Sequence, residues 1–507
     1  MTSKVMSMGI FGMRSFMVEV EADISGGKFR FDMVGLPDTA VSEAKERVQA
    51  AVKNCGCSFP FNHITVNLAP ADVRKEGSVY DLPIFIAVMI AARQLNDNFK
   101  DAAFLGELSL AGDVRAVNGV LPMVIEARTA GIKRVFVPFE NAGEAVVVEG
   151  IDVYPVKNVK QLLAFFDGNT EALSVLKPEK DTFSDEERDD FSPDFSDVMG
   201  QHAAKRAIEI AAAGGHNILM SGPPGSGKSM LAKRIPTILP DMSFEESLET
   251  TKLYSIAGLL KNKSGLVKTR PFRSPHHTVS APALSGGGSI PKPGELSLAH
   301  NGVLFLDELP EFQRTTMEVM RQPIEDGEVT ISRVAGTLTY PCNIMLVAAM
   351  NPCPCGYLGH PVKECTCTAS ARARYRNKIS GPLLDRIDIQ IDVPAASYRE
   401  ISGEQKEESS EEIKKRVNRA REIQRERFKG TGVTCNANMT AVQTRKYCVM
   451  EDDAAALIKR SYDALGLSGR TFDKILKVAR TIADMDESDI IKREHIFEAL
   501  TYKNVNI

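Results

Sequence analysis

Gly222-Pro223-Pro224-Gly225-Ser226-Gly227-Lys228-Ser229 fits the pattern G-x-x-x-x-G-K-[ST] at every fixed position. It follows the short run Asn217-Ile218-Leu219-Met220 and opens a helical stretch, Met230-Leu231-Ala232-Lys233-Arg234. A strand, a glycine-rich turn and a helix in that order make a phosphate cradle. The glycines let backbone N–H groups close around phosphate oxygens, and the helix N-terminus adds the positive end of its dipole. Lys228 is then placed to reach the β- and γ-phosphates of a nucleoside triphosphate, and the Ser229 hydroxyl to sit on Mg²⁺.

A second run, Val303-Leu304-Phe305-Leu306-Asp307-Glu308, is apolar and closes on two acids. Four consecutive apolar residues suit a strand buried on both faces of a parallel sheet. The acids then fall at its carboxyl end, where α/β sheets present their ligands. Asp307 is expected to hold Mg²⁺ through water, and Glu308 to polarise the attacking water. A third run, Ile344-Met345-Leu346-Val347-Ala348-Ala349-Met350, leads into Asn351, whose amide would orient that water or touch the γ-phosphate. In Leu383-Leu384-Asp385-Arg386-Ile387-Asp388, Arg386 reads as an arginine finger, a group worth ~10³–10⁵ in rate in related NTPases. Its alternative is a structural pair with Asp385 or Asp388. Arg470, in Leu467-Ser468-Gly469-Arg470-Thr471 ahead of an amphipathic helix, reads as a second phosphate-sensing arginine or as a surface residue at a helix start.

This order of elements resembles the AAA+ ATPases, and within them the magnesium-chelatase/MCM-like clade. Two segments carry a more specific resemblance to the bacterial ComM/YifB family, often labelled Mg chelatase-like. They are Arg270-Pro271-Phe272-Arg273-Ser274-Pro275-His276-His277-Thr278 and Pro293-Gly294-Glu295-Leu296-Ser297-Leu298-Ala299-His300-Asn301-Gly302. Both are similar to that family's insertion ahead of the acidic strand, and the resemblance covers nearly the whole chain. It implies ATP as nucleotide with Mg²⁺, bound by residues 222–229, Asp307 and Arg470, and hydrolysed with Glu308, Asn351 and Arg386. It also implies self-assembly into a ring, expected to be a hexamer, because an AAA+ finger acts on a neighbour's nucleotide. Members are linked to helicase and branch-migration work on DNA that recombines during natural transformation.

The fold class expected is α/β: an AAA+ P-loop core with a helical lid, preceded by an α/β domain like domain 2 of ribosomal protein S5. Residues 1–168 carry the first domain, with strands at 17–22, 29–34 and 64–68, a helix over 38–54 and a buried helix over 81–93. Residues 75–83, 106–114 and 130–135 resemble the Lon-protease-like domain. Proteolysis there needs a Ser–Lys dyad, with the serine slot near Val79 to Asp81 and the lysine slot at about Leu121. Ser78 is close, but no lysine lies at or beside 121, and a serine without its base is inert. The domain is therefore expected to be non-proteolytic. Residues 169–196 form an acidic linker, 197–395 the ATPase core, and 396–507 a helical lid of the Mg chelatase C-terminal kind.

At 507 residues, two to three domains are expected. A net charge of −4 does not advertise a nucleic-acid binder, so DNA contacts must come from local basic patches. No apolar run approaches the roughly 18–20 residues of a membrane span. Met1-Thr2-Ser3-Lys4-Val5-Met6 has no signal-peptide pattern. A cytoplasmic protein is expected, in which nine cysteines argue for thiols or metal rather than disulfides.

Cys353-Pro354-Cys355 and Cys365-Thr366-Cys367 bracket a turn-rich stretch that can bring four thiolates onto one structural Zn²⁺. Free thiols and an iron–sulfur centre are the alternatives. Cys55 and Cys57 have no partner pair, and His276-His277 has no third ligand at a matching spacing. Ala371-Arg372-Ala373-Arg374-Tyr375-Arg376-Asn377-Lys378 sets four cations around one tyrosine, which suits phosphate contacts with a stacking ring or, equally, a solvated face or subunit contact. Arg333 lies where MCM-like proteins carry a pore hairpin. The cationic helix over 411–429 reads as a solvated face rather than a DNA track.

The leading expectation is a ring motor on DNA. A magnesium-chelatase-like subunit driving metal insertion is the first alternative. The chain lacks the D-x-S-x-S site of the chelatase partner subunit, so no tetrapyrrole is expected. A protein-remodelling ATPase is the second.

Overall fold

The computed structural model describes residues 2–97, 99–177, 193–260, 265–288, 291–333, 336–360, 362–395 and 407–503. The chain divides into two compact units, Met1–Glu186 with Phe244–Val267, and Glu187–Ser243 with Lys268–Ile507. Residues 178–192 of the expected linker, 396–406 at the start of the expected lid, and Val334 and Ala335 lie outside the described residues. Among the described residues no helix is long and apolar enough to cross a membrane.

The first unit is built on a seven-stranded mixed sheet. Its order is Arg30–Val34, His63–Ala69, Arg14–Ser25, Thr2–Phe11, Ala102–Phe104, Arg134–Pro138 and Asp152–Val156. Val18, Val20 and Ala22 alternate along Arg14–Ser25 and are fully buried, as period-two patterning requires. Helix Asp81–Ala91 is buried at every position. Asp81, at its start, is held by Arg47 Nε at 2.6 Å and by the Leu108 amide at 3.0 Å. The helix expected over 38–54 comes as two pieces, Thr39–Ser42 capped by Asp38, and Ala44–Asn54. Val41, Ala44, Val48, Ala51 and Val52 are all buried. At the protease slot, Ser78 Oγ donates to the Glu107 carboxylate, and position 121 is a buried leucine.

Segment 244–267, assigned by chain continuity to the ATPase core, packs in this first unit instead. A buried carboxylate helps to hold it there, alongside Leu248 packed on the first unit's core. Glu144 accepts from Asn141 Nδ2 at 2.7 Å, from the Leu121 amide at 3.1 Å, and from Ser255 Oγ of helix Phe244–Ala257. The Gly119 amide also donates to the Ser255 carbonyl at 3.0 Å. A buried acid left without such donors would cost several kcal/mol, so the helix follows its serine.

The second unit holds a five-stranded sheet in the order Phe272–Arg273, Val303–Leu306, Met345–Met350, Ile218–Ser221, Ile389–Asp392, with every pairing parallel. Val303–Leu306 and Met345–Met350 are buried throughout, which explains their unbroken apolar sequence. Strand Met345–Met350 lies between the phosphate-loop strand and the acidic strand. All three carboxyl ends therefore open onto one edge. The lid helices include Ser410–Arg427, Asp452–Leu465, Gly469–Met485 and Arg493–Thr501. Ile413, Val417, Ala420 and Phe428 form the buried stripe of the first. Several of its cations pair within the chain: Arg416 with Glu209 and Glu408, Arg427 with Asp484, Lys414 with Asp241, and Arg419 with Glu487.

Candidate nucleotide site

The phosphate loop leaves strand Ile218–Ser221 and ends in helix Lys228–Ile238. Gly222 has no room for a side chain, because a Cβ there would lie 2.1 Å from the Val393 carbonyl oxygen. Gly225 and Gly227 take φ of 80° and 88°, the left-handed region that turns the loop back over the helix start. Lys228 Nζ donates to the Gly222 carbonyl at 2.6 Å and the Pro223 carbonyl at 2.9 Å, and reaches Asn351 Oδ1 at 3.5 Å. Burial holds its ammonium below the ordinary lysine pKa, with Asp307 and Glu308 opposing that shift. The cation is thus poorly solvated and poised for an anionic partner.

Ser229 Oγ donates to Asp307 Oδ2 at 2.6 Å, so the two groups expected on Mg²⁺ already touch. A hydroxyl and a carboxylate are hard oxygen donors, which fits Mg²⁺. Glu308 follows in the left-handed region at φ 53° and ψ 46°, a conformation costing a non-glycine residue about 1–2 kcal/mol. The Asp307 carboxylate offsets part of that cost by accepting the Glu308 amide at 2.9 Å. The strain turns the Glu308 side chain outward, where it is exposed. Asn351 stands at the middle strand tip, beside Lys228.

The structure brings together Lys228, Ser229, Asp307, Glu308 and Asn351. The two arginines stand elsewhere. Arg386 donates through Nε to the Arg321 carbonyl and through Nη1 to the Pro382 carbonyl, each at 2.7 Å, and pairs with Glu325. Its partner is therefore neither Asp385 nor Asp388, the two acids the sequence offered. Asp388 is occupied by Lys474 at 2.9 Å and His216 at 3.6 Å. Arg470 is exposed in the first turn of Gly469–Met485, and among the described residues no hydrogen bond or ion pair joins it to the phosphate loop.

One residue was missed. His277 Nδ1 lies 3.7 Å from Glu308 Oε2. Phe272 pairs with Val303 and Arg273 with Leu304, and the loop after that short strand brings His277 beside Glu308, a meeting no local sequence signal gives. Tyr375 bears on the two readings left open for the basic stretch. It is buried on helix Ala369–Arg376, within hydrogen-bonding reach of the Asn351 backbone, and so is no stacking ring. Lys378 pairs with Glu311 at 3.2 Å. Around the position of the expected pore hairpin, Glu328–Arg333 pairs antiparallel with Gly336–Pro341, and an exposed Arg333 pairs with Gly336 at the end.

The four expected sulfurs, Cys353, Cys355, Cys365 and Cys367, lie within 4.8 Å of one another. Cys353–Cys355 is 3.4 Å, and Cys365 stands 3.6 Å from both. Amides of Tyr357 and Thr366 point at Cys355 and help to pull its thiol down to about 6, whereas burial pushes Cys353 up to about 11. His360 Nδ1 accepts from the Val362 and Lys363 amides, which commits it to the loop rather than to a ligand shell.

A parallel sheet that presents a phosphate loop, an Asp–Glu pair and an asparagine from three adjacent strand tips, with a helical lid, is an AAA+ P-loop fold. Three family models match along the chain: "Subunit ChlI of Mg-chelatase" over residues 20–141, "Magnesium chelatase, subunit ChlI" over 194–401, and "Magnesium chelatase, subunit ChlI C-terminal" over 407–503. The chain is 43% identical to the uncharacterized protein YifB of Escherichia coli over 99% of its own length and 97% of that protein's. It is 40% identical to the competence protein ComM of Haemophilus influenzae over 98% and 97%. A Lon protease of Buchnera aphidicola is 24% identical over 30% of this chain and 21% of the protease. The chain belongs to the ComM/YifB family of Mg chelatase-like proteins.

Proposed function

We propose that this protein is an ATP-hydrolysing ring motor, a hexamer of the cytoplasm, that moves on DNA. The observation that carries the ATPase reading is the convergence of Lys228, Ser229, Asp307, Glu308 and Asn351 on one sheet edge. Lys228 would exchange its carbonyl partners for the β- and γ-phosphates. Ser229 and Asp307 would hold Mg²⁺, which supplies charge neutralisation on the phosphate oxygens. Glu308, freed from His277, would accept a proton from the attacking water, and Asn351 would orient that water. Arg386 would leave Glu325 and reach the nucleotide of the next subunit, which is why a ring is required.

The DNA reading rests on the exposed Arg333 hairpin and on likeness to a protein named for competence. The role proposed is helicase or branch-migration work on recombining DNA. None of the nine cysteines is joined in a disulfide, which suits a reducing compartment. A magnesium-chelatase-like subunit is the second reading, favoured by the family models. ATP hydrolysis should be measured with single-stranded or branched DNA, with a porphyrin-binding partner, and with an unfolded protein. Stimulation by DNA supports the motor. Stimulation only by the porphyrin partner or the unfolded protein would replace it with the chelatase-like or remodelling reading.

A further inference from the structure

We propose that Cys353, Cys355, Cys365 and Cys367 hold one Zn²⁺, and that this zinc knuckle braces the phosphate loop, so that metal occupancy sets nucleotide affinity. The inference rests on the nucleotide reading for its second half only.

The sulfur geometry fits a single four-coordinate ion. Zinc with Zn–S bonds of about 2.3 Å places tetrahedral sulfurs about 3.8 Å apart. The three separations of 3.4, 3.6 and 3.6 Å match that shell. They are far longer than the ~2.05 Å of a disulfide. A multi-iron cluster would stand between the sulfurs and hold them farther apart. Among the described residues of the loop, turns rather than strands shape it. Gly356 and Gly359 turn it at φ of 82° and 75°, and the Gly356 amide closes a turn onto the Cys353 carbonyl at 2.9 Å. The Lys363 ammonium lies 4.9 Å from the Tyr357 ring centre, closing the far end. Amides of Gly356 and Leu358 face Cys353, and those of Tyr357 and Thr366 face Cys355, as donors to anionic sulfur.

The brace follows from where the knuckle sits. It begins two residues after Asn351, whose amide oxygen is 3.5 Å from Lys228 Nζ. A Cβ on Gly356 would lie 2.8 Å from Pro224 Cδ, so the knuckle passes beside the phosphate loop's outer proline with no room for a side chain between them. Just beyond the last sulfur, Thr368 caps helix Ala369–Arg376, whose Tyr375 returns to the Asn351 backbone. One four-coordinate ion therefore ties the middle strand tip, the phosphate loop and a basic helix together. Without it, the loop keeps its glycines but loses the wall against which Pro224 rests.

The test uses the full chain. Metal analysis of freshly purified protein should find one zinc per chain. Cys365→Ser should lose it, and its affinity for a fluorescent ATP analogue should fall about tenfold, the equivalent of ~1.4 kcal/mol. Stripping zinc from folded wild type with a chelator, under unchanged far-UV circular dichroism, should weaken nucleotide binding equally, and re-added zinc should restore it. Gly356→Ala keeps all four sulfurs but strains the left-handed turn at φ 82° and pushes against Pro224. It should retain zinc and still bind the analogue less tightly. No zinc, or iron with visible absorbance, would overturn the metal site. Zinc whose removal leaves nucleotide affinity unchanged would overturn the brace. A chain that carries zinc yet binds no ATP would overturn the nucleotide reading and the brace with it, and leave the metal site standing.

Discussion

Replacing Arg386 with alanine separates a finger from a structural arginine, because the structure sets different magnitudes for the two. Within the chain, Arg386 pairs with Glu325, whose side chain is 55% exposed, and donates two hydrogen bonds to carbonyls. An ion pair with a half-exposed partner contributes about 0.2–1 kcal/mol, and each carbonyl bond about 1 kcal/mol. A purely structural Arg386 therefore accounts for about 2–3 kcal/mol of stability, and its loss should reduce hydrolysis only as far as folded protein is lost. A finger removed from the transition state costs ~10³ or more in rate, about 4 kcal/mol on the barrier. The assay is the ATPase rate per folded chain, with urea unfolding run in parallel. Glu325→Gln is the control: it breaks the same ion pair, frees the arginine, and should keep hydrolysis at or above the wild-type rate. Mixing Arg386→Ala chains with Lys228→Ala chains should restore part of the activity, since one still offers a pocket and the other a finger. A loss below tenfold on Arg386→Ala, matched by Glu325→Gln and not rescued by mixing, would refute the finger.

Glu308→Gln should bind ATP normally and lose ~10²–10⁴ in hydrolysis, as measured by single-turnover kinetics, because the amide keeps the shape but not the base. Arg333→Ala should weaken DNA binding and reduce the slope of log affinity against log salt by about 0.7 on single strands, while basal hydrolysis stays near wild type. For Asp388, burial alone would raise the carboxyl, but Lys474 and His216 hold it far below the usual carboxylate range. A depressed carboxylate stabilises the fold above its unfolded value, 3.8, and loses that contribution as pH falls toward the folded one. Asp388→Asn should thus cost about 3–5 kcal/mol at pH 7 by stranding Lys474, and denaturant midpoints should converge with wild type only below about pH 4.

What the sequence made legible follows from how local each signal is. The phosphate loop lies within eight consecutive residues, and its glycines stand where the backbone needs them, so it read without ambiguity. Asp307 and Asn351 were legible because a buried parallel strand is continuously apolar and its first polar residue marks the tip. His277 was not, since its meeting with Glu308 depends on the pairing of two strands distant in sequence. Arg386 shows the same limit: Asp385 and Asp388 were the acids in view, while the actual partner, Glu325, sits on another helix. Segment 244–267 was misplaced because contiguity favoured the core, whereas Ser255 bonding to the buried Glu144 and Leu248 packing on the first unit's core place its helix in the other unit. For the stretch around Tyr375 the sequence left a stacking ring and a solvated or subunit-contact face equally open, and burial of Tyr375 on its helix disfavours the ring.

The central claim is that hydrolysis at Glu308 moves DNA, and strand displacement on a forked or four-way DNA junction tests it most directly. The wild-type chain with ATP and Mg²⁺ should displace a labelled strand, and Glu308→Gln should bind the same junction in ATP without displacing it. Displacement by Glu308→Gln at the wild-type rate, or vigorous ATP hydrolysis by wild type with no displacement on any junction, would contradict the account.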